Sequence, residues 1–322
     1  NLKSYKGNSN AAIYHLTVDK AVAGPSSSGN SSAGTYDAGL FAFLNDGMTV
    51  DAVALSGTSV KITNESNAYV GALAGETLGG ATITNCQVFL ESEDLEGKSD
   101  SDSWISGGLK MGGLIGQTGG KVAITNSFAS TVMDGGETGT VGGLVGEDGG
   151  GIQITSSYSD SYLTGNVTGG LIANARSSVT INSSYTAGYQ KAKSNAGGMV
   201  AKATDTEANL KDVYSAVTFV DFTGTDTEGT VTQAVRYSIA PGTVTNGYYL
   251  NKGNVREDQN NHDQGTNVSY KELSDRATMT AKLGGDFVAS TTTHAYNLRN
   301  QGLSSYSYPA LKNMSHYGDW EA

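Results

Sequence analysis

The chain has 322 residues, with 31 acidic against 20 basic side chains and a formal net charge of −11. That balance leaves no basic stripe for nucleic acid or for an anionic membrane surface, and no apolar run approaches the length of a membrane span. Cys86 is the single cysteine, which excludes an intrachain disulfide and a cysteine-based metal cage.

Residues 1–37 carry one strand-like run, Ala12 to Val18, and a loop by composition, Gly24 to Ser32. They are expected to form an N-terminal cap or an incomplete first coil, since an open ladder edge invites association. The chain does not begin with Met and shows no apolar leader, so any export signal is expected to lie outside this sequence or to have been removed.

From residue 38 to 250 one phrase keeps returning. It reads Met111-Gly112-Gly113-Leu114-Ile115-Gly116, then Val141-Gly142-Gly143-Leu144-Val145-Gly146. Weaker copies place the central apolar residue at Leu40, Leu73, Leu171 and Met199. Each copy is followed by a polar turn and an alternating stretch, such as Ile152-Gln153-Ile154-Thr155 or Val179-Thr180-Ile181-Asn182. Alternation with period two is the strand signal, and helical periodicity is absent here. One unit is therefore read as about two short strands.

A unit of this size cannot bury its apolar residues alone. Stacking successive units places Leu114 over Leu144 and Leu144 over Leu171, with Phe128, Tyr158 and Tyr185 in a second column. The fold class predicted is all-β: a parallel β-helix of roughly seven coils with a small α+β C-terminal cap. Handedness is not fixed by the pattern, and right-handed is the expectation for wide coils. The glycines predict tight corners with positive φ and close approach of stacked backbones. Cys86 is expected to be a small apolar member of one such column.

Val-Gly-Gly-Leu-Val-Gly at 141–146, with Ser-Ser-Tyr-Ser downstream, resembles the GLUG repeat of bacterial surface proteins. The likeness is strongest from about 110 to 216 and extends back to 39. It weakens at Ala72, which replaces the second glycine, and at the 169 and 197 copies, which lack the last one. Such repeats occur in large secreted adhesin-like proteins and in stalks of some immunoglobulin A peptidases. The resemblance implies an extracellular bacterial β-helix within a larger surface polypeptide. It implies no particular ligand and carries no catalytic residue.

An insertion from Glu91 to Ser106 interrupts the repeats. It gathers Glu93, Asp94, Asp100 and Asp102 ahead of Trp104. Loops on a rigid scaffold carry function more often than the scaffold does. Trp104 suits stacking on a sugar ring, with the carboxylates accepting its hydroxyls, and Asp100 and Asp102 suit a Ca²⁺ ion. The plain alternative is a solvated acidic loop with Trp104 folded back to pack.

Residues 251–322 are read as the C-terminal cap. Ser269-Tyr270-Lys271-Glu272 matches a capping box, Leu273, Ala277, Ala281 and Leu283 share one helix face, and Gly284 is a stop. Ser274 is a second N-cap candidate, which would split the segment into two short helices. Pro309 lacks the donor that a further coil needs.

His15, His262, His294 and His316 have no zinc-ligand spacing, and no nucleophile elbow or phosphate loop is present. The function expected is non-catalytic adhesion at the cell surface, with a host glycan or host protein as partner and no cofactor. A polysaccharide lyase or glycoside hydrolase on the same fold is the alternative, and a structural spacer the third.

Overall fold

The computed structural model describes residues 3–7, 11–24, 35–91, 94, 102–204, 206–221, 235–250, 261–262, 264–289, 308–312 and 314. Glu93 and Asp100 lie outside them, as does most of the polar stretch after Leu250. The described chain winds into a parallel β-helix. One sheet of six strands, from Phe41–Leu44 to Val200–Ala203, takes one strand from each of six successive turns. A 26-stranded sheet wraps the rest of the coil. Ser4–Lys6, Ile13–Tyr14 and Thr17–Val18 add parallel strands beneath the first full turn, and Val22–Ala23 then pairs antiparallel with Tyr36–Ala38.

A turn holds more strands than the alternation suggests. Between 110 and 134 there are five: Lys110–Gly112, Ile115–Thr118, Val122–Thr125, Phe128–Ser130 and Val132–Asp134. Single bent residues separate some of them, so two strands merge in the sequence into one alternating run. At one bend the backbone is left-handed in every turn, at Ala52, Asn85, Asn126, Ser156, Ser183, Asp212 and Asn246. Asn and Asp tolerate that region best among residues with a side chain.

The recurring phrase forms a corner. The amide of Leu114 donates to the carbonyl of Leu144 (3.0 Å), Leu144 to Leu171 (2.9 Å), and Leu171 to Met199 (2.8 Å). Their side chains are fully buried in the main core. The corner glycines are not in the left-handed region, contrary to the positive φ expected of them. Their need is steric. A β-carbon on Gly142 would lie 1.8 Å from the Val145 carbonyl oxygen, and one on Gly143 would lie 1.9 Å from that of Gly170 in the next turn.

Just past the left-handed bend runs a serine ladder. The amides of Ser127 and Ser157 donate to the hydroxyls of Ser157 and Ser184 one turn on, each at 3.2 Å. Each hydroxyl donates in turn to a carbonyl two residues back, at 2.8 Å. Cys86 occupies the same column. Its amide donates to Ser127 Oγ (3.0 Å) and its thiol to the Thr84 carbonyl (3.4 Å), while burial pushes the thiol pKa up to about 12. Cys86 is, as expected, a buried member of the main core in a stacked column, and the serines of the later turns add polar rungs to that column. Cys86→Ser should leave the melting temperature within about 2 °C of the parent, because the hydroxyl finds the acceptor its neighbours already use. A thermal melt checks this; a drop of the size that follows loss of a core side chain would refute the ladder assignment.

The aromatic column stacks as expected. Ring centroids of Phe128, Tyr158, Tyr185 and Tyr214 lie 4.7, 4.6 and 4.8 Å apart, with planes 5° from parallel. It belongs to a second apolar cluster, separate from the main core, shared with Leu273, Met279, Leu283, Phe287 and Leu311. The C-terminal cap therefore packs along this column. Its two helices are Tyr270–Ser274, with the Ser269/Glu272 capping box formed, and Arg276–Leu283, capped by Asp275 instead of Ser274 and ended by Gly284. Tyr214 Oη donates to the Pro309 carbonyl (2.9 Å), tying the cap to the coil.

Candidate functional site

Two parts of the coil gather chemistry. The first is the flank beside the Glu91–Ser106 insertion. There Val132, Tyr162, Tyr189 and Thr218 stand in register on successive turns, and so do Asp134, Thr164, Lys191 and Val220. Strand alternation sends both rows to one face. The intervening Met133 and Leu163 go to the main core. Gln190, in the same inner row, donates to the Gly197 carbonyl (2.9 Å) and accepts from Thr168 (3.1 Å). Except for Thr218, the two outer rows line a cleft of about 500 Å³, together with Ser103, Met133 and Leu163.

The first row is aromatic at Tyr162 and Tyr189 and the second polar at Asp134, Thr164 and Lys191, while Thr218 and Val220 end the two rows. Tyr162 and Tyr189 meet edge to face at 4.8 Å. Burial first, then Tyr189 and Asp160, raises the Tyr162 hydroxyl pKa above the ordinary tyrosine range, so the group stays neutral. Val220 is 40% exposed at the cleft's far end. Strand spacing of about 4.8 Å sets the step between contacts along each row.

Of the insertion's candidate residues, Asp94, Asp102 and Trp104 are described. Trp104 is half-buried against Leu90 and Val132, in the place one turn before Val132, so it packs at the rim of the cleft. Asp102 is exposed. Asp94 is buried; its carboxylate accepts the Glu91 amide (2.8 Å) and faces His15 Nδ1 (3.5 Å). It thereby closes the start of the insertion. Among the described residues no three His, Cys, Asp or Glu side chains gather as metal ligands. Tyr162 and Tyr189 went unread in the sequence, although each follows another tyrosine at the same spacing, Tyr158 and Tyr185. That repeated pair was the available signal.

The second part lies where the strand before each corner faces the strand after it. Lys110 Nζ donates to Glu147 Oε1 (2.6 Å) and to Gln117 Oε1, and lies 4.7 Å from the centre of the Tyr69 ring. Asn174 donates to Glu147 Oε2 (2.8 Å), and Arg176 Nε is 3.2 Å from Oε1. Burial alone would raise the Glu147 carboxyl pKa; Lys110, Asn174 and Arg176 together outweigh it and hold the group below the usual range. Toward the N-terminus the balance reverses. Burial, then Glu76, pushes the Asp37 carboxyl up to about 7, and burial likewise raises Glu76 against the pull of Lys110.

No protein-family model, no curated protein and no solved structure matches the chain. Among the described residues no helix is long and apolar enough to cross a membrane.

Proposed function

We propose that this β-helix is a non-catalytic, extracellular surface module that binds a glycan in the flank cleft. The observation that carries the reading is the pairing of an aromatic row with a polar row across consecutive turns. Tyrosine faces suit the apolar face of a sugar ring, while Asp134, Thr164 and Lys191 offer acceptors and donors to its hydroxyls. The likeness of the corner phrase to GLUG repeats supports the surface placement, within a larger polypeptide and against a host glycan. Hydrolysis by a carboxylate pair is the weaker reading, since Asp134 is the one carboxylate among the described residues lining the cleft.

A glycan array read with the intact chain tests this. Tyr162→Ala is expected to weaken the retained glycan at least about tenfold while the melting temperature changes little, as for a truncated central anchor. Trp104→Ala, which removes support from the cleft rim, is expected to act in the same direction and less strongly. Wild-type affinity in Tyr162→Ala would sink the cleft as the site. An array with no retained glycan would favour the spacer.

A further inference from the structure

The charged seam at the corners is unbalanced at its N-terminal end. Asp37 and Glu76 are 1% and 3% exposed. Both carboxylate oxygens of Asp37, and Oε2 of Glu76, have no hydrogen-bond partner among the described residues. Lys110, the cation that acts on Glu76, is engaged by Glu147 and Gln117. Tyr69 stands between Asp37 and Lys110 in the strand register, with its ring beneath the ammonium. The lysine therefore serves the far side of the seam.

Asp37 packs against the strand that carries Glu76, near enough for the Glu76 charge to act on its carboxyl. A β-carbon on Gly75, the residue before Glu76, would lie 2.8 Å from Asp37 Cβ. On the other side Asp37 Oδ2 rests over Gly24, where a β-carbon would lie 2.1 Å from it and 3.1 Å from Thr35 Oγ1. Glycine at 24 thus makes room for the Asp37 carboxylate, with the Thr35 hydroxyl beside it. Buried carboxylate oxygens without donors are unfavourable as charged groups unless a proton or a cation meets them.

We propose that Asp37 and Glu76 bind one hard divalent cation of the calcium class, with Thr35 Oγ1 as a neutral ligand. Two carboxylates match its charge, and all the ligands are oxygen, as such ions require. Backbone carbonyls and water would complete the shell. Asp37 sits on the strand that pairs with Val22–Ala23, and Glu76 on a strand of the next turn. The ion would therefore fasten the antiparallel N-terminal hairpin to the coil. Binding would be selective for the folded state and so would stabilise it.

The test uses the intact chain at pH 8, stripped with EDTA, and millimolar CaCl₂. Calcium is expected to raise the melting temperature by several degrees. Tb³⁺, excited through nearby tyrosine, is expected to give emission that saturates at one equivalent. Asp37→Asn combined with Glu76→Gln should abolish both responses. Its melting temperature in EDTA should equal or exceed that of the parent, because two like charges are gone, and this shows that it folds. Identical parent melts in calcium and EDTA would overturn the site. So would a double variant that keeps the full calcium and terbium responses.

Discussion

Gly142→Ala is expected to cost the fold roughly 3 kcal/mol or more, measured as a fall in the urea midpoint with the slope preserved. The added methyl would lie 1.8 Å from the Val145 carbonyl oxygen and 2.5 Å from its carbon. These are backbone atoms, and Val145 pairs with Ile115 on one side and Ile172 on the other. Nothing flexible can yield, so the corner must open and break rungs in three turns. Gly136→Ala is the matched comparison. Its φ is +59° and nothing lies within 4 Å of the new methyl, so it should lose only the left-handed preference, about 1 kcal/mol. A Gly142→Ala loss no larger than that of Gly136→Ala would remove the steric account of the corner.

Leu144→Ala should cost about 3 kcal/mol, the usual range for a fully buried leucine. Leu144 is 0% exposed, between Leu114 and Leu171. Its neighbours are held by hydrogen bonds running through the same corner, so the space left behind cannot collapse and the cavity remains. Leu40, half-buried in an early copy of the phrase, gives the contrast and should lose much less on the same substitution. Equal losses at the two positions would mean that the corner residues do not form a closed core.

The corner was legible because its chemistry is redundant. Leu, Ile, Val or Met recurs beside paired glycines, and only stacking explains such a recurrence. The reason for the glycines was half legible: sequence shows that a β-carbon is refused, but not whether φ or a neighbouring carbonyl refuses it. The strand count was hidden because a left-handed residue such as Ser156 interrupts the chain without interrupting the polar character around it. The hydrogen-bonded rung at Cys86 was hidden for a related reason. Its partner is the hydroxyl of Ser127, 41 residues away, and no local pattern reveals a rung of that length. The flank cleft was missed because its aromatic row is thinly spread, about one residue per turn, whereas the acidic insertion beside it is dense and draws the eye.

Rungs of that length have a kinetic consequence. Pairings such as Ser127 with Ser157 or Ser157 with Ser184 close intervals of 30 and 27 residues, and no isolated turn encloses its own partner. A nascent segment must wait for a preformed template, then zip onto it. Assembly of this kind is slow to start and quick to extend, because each new coil docks on the one already wound. The first winding to form would then set the register inherited by every one laid upon it.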